Sequence, residues 1–588
     1  MAEKQKMTPA EAIVEQLRAE GVEYCAGIVG SAFMDMLDLF PDAGIRFIAV
    51  RDEHTAGHMM DAYNRVSGKV GVVTGQNGPG VTNLITSIAT AYQAHSPVLV
   101  IGPSAGSTSV HWDGFQECDQ VPMFKPITKK SFQLPHPSRA ADCVRTAFRV
   151  MYADRGPVYF DVPRDYFYGE LEDVILPPEE YRSTSGLIPD PDTMKRAAEV
   201  IANAKRPVII SGRGAVDSDA LDVIEKIAAY LSCPVATTYL HNDAYRYSDP
   251  HWVGPIGYMG SKAAMYAVRD ADVIIAIGSR LSYFGTLPQY DIKYFKQDGT
   301  QEIVQIDVQA KQIARTHPVK VGIVGDARVT AEGLLKLLEE KGSREPDQAR
   351  LDEIKQLRAD WEKEIEDLAM EEAAPGTLHP RRVLLEMARQ KPENCIVTTD
   401  IGNVSSTANS YLRFNNPRLH VACLTFGNTG FAFQAAMGAK LAAPDQPVLS
   451  IAGDGAWGMS FYEVMTAVQE DLPVVALVAR NNAWCAEKKN QVDFYNDRYV
   501  GCEIQAPSWA ELAKVMGAEG FYVDKEEDLA DTFKKAFELT TKERKTVVIE
   551  ARVDGTKLAP PFRKDALKLP VRFLERYKHL DYREWKKD

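Results

Sequence analysis

Short apolar runs alternate with helical stretches along nearly all of the 588 residues, and no other feature restricts the fold as much. The first segment holds such runs at 45–50, 70–74, 98–101 and 157–162, with a helical stretch at 82–92. Ahead of them, Ala12, Ile13 and Leu17 share one stripe of a helix over 8–19, which Thr8 can cap with Glu11 three residues on. The middle segment repeats the rhythm with runs at 207–211, 233–237, 273–277 and 302–306 and helices at 194–204 and 219–231. The third has runs at 395–399, 448–452, 474–478 and 546–549. Continuous apolar runs, rather than alternating ones, suit strands buried on both faces of a parallel sheet. Polar stretches at 176–191 and 340–351 separate the segments. The expected architecture is α/β, with three doubly wound parallel-sheet domains at 1–180, 190–345 and 370–558. A basic, aromatic tail at 559–588 is expected on the surface or across a subunit contact.

Composition narrows the function classes. Asp and Glu outnumber Lys and Arg, 81 to 68, for a net charge of −13. That argues against nucleic acid as a partner, while leaving room for an anionic substrate in a pocket with a few basic residues. None of the eight cysteines forms a C-x-x-C pair, so a zinc ribbon or thioredoxin-like site is not expected. Residues 1–17 are charged throughout and unlike a signal peptide, and no apolar run is long enough to span a membrane. The expected location is cytoplasmic.

The strongest chemical signal is Gly453-Asp454-Gly455 with Asn481-Asn482. Glycines just past a buried strand let the backbone approach a phosphate, and Asp454 offers a hard oxygen suited to Mg²⁺. Asn481 follows Asp454 by 27 positions, after the next run, so adjacent parallel strands would present the two side by side. Singly, each motif reads as a turn or a loop; together they read as a diphosphate–metal clamp. Glu53 opens a helical stretch after the run at 45–50, and alone it reads as an acid stabilising that helix's dipole. His54 and His58, four apart, are spaced to share a metal, but no third ligand accompanies them.

The Gly-Asp-Gly…Asn pattern resembles the diphosphate motif of thiamine-diphosphate enzymes. The resemblance implies Mg²⁺ held by Asp454, Asn481 and the carbonyl of Ala483. Asn482 is the competing side-chain ligand, and the 27-residue offset favours Asn481. It assigns Glu53 to the carboxyl that shares a proton with the cofactor's aminopyrimidine. Gly78-Pro79-Gly80-x-Thr82-Asn83 resembles the family's turn after a strand, with Asn77 facing the active site. Phe115-Gln116-Glu117 resembles a stretch that brings Gln116 near the thiazolium. By the same resemblance, Gly30, Gly78, Gly402, Asn403, Gly427, Asn428, Gly453, Gly455 and Ala456 join the cofactor contacts.

Within the family, several stretches are similar to the sulfoacetaldehyde acetyltransferases. They include residues 27–32, 76–80, 114–117, 241–244 and 254–258. The most specific are Arg480-Asn481-x-x-Trp484-x-Ala486-Glu487-Lys488 and Pro561-Phe562-Arg563-Lys564-Asp565-Ala566. The implied reaction is sulfoacetaldehyde plus phosphate to acetyl phosphate plus sulfite. Lys488, Arg563, Arg280 and Lys564 are candidates for binding the sulfonate and phosphate, each with the plain alternative of an exposed or salt-bridged base. Gln116 and Asn77 are candidates for orienting the aldehyde. A pyruvate-using relative and a non-catalytic cofactor-binding protein are the rival readings.

Some positions depart from the pattern. Thr429 stands where the family usually has a bulky apolar residue bending the cofactor, Cys485 where glycine is frequent, and Ala559-Pro560 where Gly-Glu precedes Pro-Phe. Glu53 and Asp454 lie about 400 residues apart, and the resemblance implies that they meet across a homodimer or homotetramer contact. Gly212-Arg213-Gly214-Ala215 is a weak glycine turn, and no FAD is expected.

Overall fold

Among the described residues, eighteen strands gather into three six-stranded sheets whose ladders are all parallel and whose central strands are buried almost end to end, while Gln5–Met7 and Leu171–Asp173 pair antiparallel apart from them. The computed structural model describes residues 4–296, 298–560 and 567–583. In the first sheet the strands lie in the order Arg46–Ala49, Tyr24–Gly27, Gly71–Thr74, Val98–Ser104, Val158–Pro163, Lys130–Gln133. The third runs His420–Ala422, Ile396–Thr399, Val448–Gly453, Val475–Arg480, Val547–Arg552, Glu519–Val523, which is the same topology. The middle sheet runs Trp252–Pro255, Val235–Thr237, Pro207–Ser211, Val273–Ile277, Glu302–Asp307, Val321–Val324. All three are doubly wound α/β units, as expected from the continuous apolar runs.

Each sheet has six strands where four apolar runs were legible. The additional strands include edge strands such as Lys130–Gln133 and Glu519–Val523, whose partial exposure leaves no continuous apolar run. Thr8 caps its helix as expected, with a reciprocal capping box to Glu11. The stretch at 82–92 divides into two helices, Pro79–Asn83 and Ile85–Ala94.

The first and third units share a core. One apolar cluster runs from Met60 and Val73 through Phe431 and Met437 to Ile451. At its centre the helix Glu53–Ser67 crosses the helix Ala432–Ala442. Gly438 sets their approach, because a Cβ there would lie 1.9 Å from the Met59 carbonyl oxygen, far inside van der Waals contact distance. Backbone cannot yield as a flexible side chain does, so Gly438→Val should cost about 3 kcal/mol. The expected readout is a lower thermal unfolding temperature.

Candidate active site

Strands Ile396–Thr399 and Val448–Gly453 are neighbours whose connections leave toward opposite edges of the third sheet, and a pocket opens at their carboxyl ends. Asp454 is the first residue of a short helix, Asp454–Trp457, and is only 2% exposed. Its Oδ2 accepts from the N–H groups of Asn481 (3.1 Å) and Asn482 (2.6 Å), and its Oδ1 from that of Gly455 (3.0 Å). Burial raises its pKa, and the N–H donors oppose that shift. Asn481 lines the pocket, its side-chain oxygen accepting from the Ala483 N–H (3.1 Å). Asn482 adopts a left-handed φ of 57° and turns its side-chain oxygen to Arg480 Nε, 2.9 Å away. The competition between the two asparagines is thus a difference in direction.

Gly402, Gly427 and Gly453 line the same pocket. The first two have φ of 119° and 67°, which favours glycine. A Cβ on Gly402 or Gly453 would meet no atom within 4 Å, so their backbone faces open space that a ligand can enter. Gly455 is small for another reason: a Cβ there would stand 2.8 Å from the Trp484 ring. Ala456, Ala483 and Asn403, also expected, line the pocket as well. Asn403 Oδ1 also accepts from the Ala559 N–H (3.2 Å). Cys485 lines the pocket as a neutral thiol, burial pushing it up to about 12. Thr429 has a bulky neighbour in Met459, whose sulfur lies 2.9 Å from its hydroxyl.

The residues expected in the first unit form a separate cluster, and none of them lines this pocket. Asp52 caps the Glu53–Ser67 helix through the His54 N–H, placing Glu53 in the first turn. Glu53 is 5% exposed and accepts from Asn83 Nδ2 (3.1 Å), and burial raises its pKa. Gly75 and Gly80 make room for it. Asn77 Nδ2 donates to the Gln116 carbonyl (3.0 Å), and Gln76 Nε2 donates to Asn77 Oδ1 (2.8 Å) and Gln116 Oε1 (2.9 Å). Gly30 packs against Gln76, and the Gly78 N–H is held by Gln120 Oε1 (2.7 Å).

Other residues singled out in the sequence lie elsewhere in this chain. Asn428 does not line the pocket; its side chain is engaged between Thr90 Oγ1 (2.8 Å) and His58 Nε2 (3.0 Å) at the contact between units. His54 and His58 face each other Nε2 to Nε2 at 2.9 Å, both held below the usual histidine range by burial, so they serve as a neutral hydrogen-bonded pair. Lys488 is paired with Glu503 at 3.1 Å, beside the Tyr499 ring, and does not line the pocket. Arg280 lies at a different cleft, between the first and middle units, donating to His95 Nε2 (2.7 Å) and the Gln93 carbonyl (2.9 Å). Arg213 and Gly214 of the weak glycine turn border that cleft too. Arg563 and Lys564 lie outside the described residues.

Tyr258 of the middle unit also lines the pocket and was not among the expected site residues; its hydroxyl donates to the Pro560 carbonyl (2.7 Å). Trp484 and Glu487 line it from the Trp-x-Ala-Glu-Lys stretch, which was the available sequence signal. Among the described residues, no cluster of three or more His, Cys, Asp or Glu is arranged to hold a metal ion. A cation at Asp454 would therefore draw on amide, carbonyl and ligand oxygens, a set suited to Mg²⁺.

Residues 7–123 match the N-terminal thiamine pyrophosphate-binding domain, 194–334 the central domain and 400–551 the C-terminal thiamine pyrophosphate-binding domain of the thiamine pyrophosphate enzymes. The chain belongs to this family. It is 45% identical over 594 residues to the sulfoacetaldehyde acetyltransferase of Castellaniella defragrans, covering 98% of each chain. It is 46% identical over 592 residues to that of Alcaligenes xylosoxydans xylosoxydans, covering 97% of each. Similarity to the acetolactate synthase large subunit of Haemophilus influenzae is lower, 30% over 564 residues, covering 95% of this chain and 96% of the other.

Proposed function

We propose that this enzyme converts sulfoacetaldehyde and phosphate to acetyl phosphate and sulfite, using thiamine diphosphate and Mg²⁺. The observation that carries the reading is 45% identity along nearly the whole chain to a protein of that activity, with Asp454, Asn481 and the glycine cradle in one pocket. When bound, the cofactor supplies a carbon nucleophile for the aldehyde and an electron sink while the neighbouring C–S bond breaks. Asp454, Asn481 and the Ala483 carbonyl would hold Mg²⁺, and the open backbone at Gly402, Gly427 and Gly453 would receive the diphosphate. Glu53 would hold the proton exchanged with the aminopyrimidine. Gln116 and Asn77 would orient the aldehyde oxygen.

The third-unit pocket and the Glu53 cluster are separate within one chain, which supports a homodimer or dimer of dimers in which a second copy supplies Glu53. Arg563 and Lys564 are the remaining basic candidates for the sulfonate and phosphate. The chain just before them is tied at Ala559 and Pro560 to two pocket-lining residues, Asn403 and Tyr258. Eight free cysteines suit a reducing cytoplasm. Among the described residues, no helix is long and apolar enough to cross a membrane.

The test is release of sulfite and acetyl phosphate from sulfoacetaldehyde, with controls lacking phosphate, thiamine diphosphate or Mg²⁺. Turnover of pyruvate in place of sulfite release would transfer the assignment to the acetolactate-forming branch. The asparagines give a second check. Asn481→Ala should raise the half-saturating Mg²⁺ concentration at least about tenfold, the loss of one oxygen ligand. Asn482→Ala should leave it within about twofold, because that side chain is directed at Arg480.

A further inference from the structure

Glu463 belongs to the third unit, is fully buried, and directs its carboxylate at the first unit. Its Oε1 accepts from the Arg51 N–H (3.1 Å) and the Thr55 hydroxyl (2.8 Å). Its Oε2 accepts from the Arg51 N–H (3.4 Å) and the Thr466 hydroxyl. Arg51 and Thr55 stand two residues before and two after Glu53. The same third-unit segment makes three more hydrogen bonds to the turn. Tyr462 donates to Asp52, the helix cap (3.3 Å), and the Arg51 guanidinium donates to Thr466 Oγ1 (3.2 Å) and Gln469 Oε1 (2.7 Å). Glu53 has a side-chain hydrogen bond to Asn83, within its own unit. The backbone that carries it is therefore fastened by the third unit on both sides.

Burying a carboxyl group is unfavourable, and burial raises the Glu463 pKa despite the opposing hydrogen bonds from Thr466, Thr55 and the Arg51 N–H and the nearby Arg51 charge. A group retained under that penalty needs a geometric role, and its donors bracket one residue. We propose that Glu463 is a positioning residue for Glu53: it fixes the turn that presents the Glu53 carboxyl to the cofactor. The proposal rests on the reading of Glu53 given above.

The test uses the full-length Glu463→Gln variant, which keeps the side chain's shape but replaces one acceptor oxygen with a donor NH₂. The first readout is backbone hydrogen–deuterium exchange in the cofactor-free protein. A peptide spanning 50–56 should lose protection at least about tenfold, while the helix Ala432–Ala442 keeps its own. The second is exchange of the cofactor's thiazolium ring proton for deuterium at saturating thiamine diphosphate and Mg²⁺. That rate should fall about 10- to 100-fold in Glu463→Gln. Glu53→Gln should lower it too, and the double variant should be little worse than Glu53→Gln alone, since both changes act through one carboxyl.

Normal protection at 50–56 together with ring-proton exchange within twofold of wild type would overturn the proposal. So would additive losses in the double variant, which describe a merely structural residue. If Glu463→Gln does not fold, Thr55→Val removes one donor and should slow ring-proton exchange about threefold or more; no slowing would overturn the proposal. A wild-type protein that fails to accelerate ring-proton exchange would instead overturn the cofactor reading itself, a result distinct from a loss confined to the variants.

Discussion

Asp454→Ala is expected to lower turnover at saturating Mg²⁺ by a factor of about 10³ or more, equivalent to about 4 kcal/mol. Of the three oxygens proposed to hold the metal, only that of Asp454 belongs to a carboxylate, so its removal takes the site's anionic ligand. The alanine change also strips the acceptor from the N–H groups of Gly455, Asn481 and Asn482. Part of its effect is therefore structural, at about 1–3 kcal/mol for each donor that water does not reach. Asp454→Asn separates the two contributions. Its side-chain oxygen still accepts from part of that set while the charge is gone, so a comparable loss of turnover reads as loss of the metal. The check is thermal unfolding with and without thiamine diphosphate and Mg²⁺. Wild type should be stabilised by the pair and Asp454→Asn should not, since stabilisation follows binding to the folded state.

Glu53→Gln should give the opposite pattern. The amide has Glu53's size, and its oxygen can still accept from Asn83, so the buried turn is preserved. The proton on the carboxyl is lost, and turnover should fall by about 10²–10⁴, the range typical of removing a positioned acid–base group. Stabilisation by the cofactor and Mg²⁺ should remain, because the pocket around Asp454 is untouched. Retained stabilisation with normal turnover would remove Glu53 from the mechanism.

The two variants also test the assembly. In a dimer whose sites pair Glu53 of one copy with Asp454 of the other, a mixed dimer of Glu53→Gln and Asp454→Asn subunits has one intact site. Random mixing makes half the dimers mixed, so about a quarter of wild-type activity should return from two inactive preparations. No recovery after subunit exchange would mean that both residues serve the same copy's site.

Much of the site was legible because its chemistry is local. Glycine at the end of a buried strand, with an acid beside it, specifies a turn whose backbone is open to a ligand. The spacing of Asp454 and Asn481 follows from one strand–helix–strand unit. The spacing alone left Asn482 competing with Asn481, and the left-handed backbone that turns the Asn482 side chain to Arg480 supports Asn481. The edge strands were missed because partial exposure removes the apolar pattern that marks a strand.

The sequence by itself determined the repeated α/β units, the strand ends that carry Asp454 and Asn481, and the helix that Glu53 opens, since each depends on residues a turn or a strand apart. Only the tertiary structure decided which long polar side chains reach a ligand pocket and which are consumed elsewhere. Lys488 turns to Glu503, Arg280 to His95, Asn428 to His58, and Glu463 crosses from the third unit to hold the turn around Glu53. Those choices belong to packing, because a buried charge or amide takes whichever partner the fold brings within hydrogen-bonding distance, and sequence separation places no limit on which partner that is.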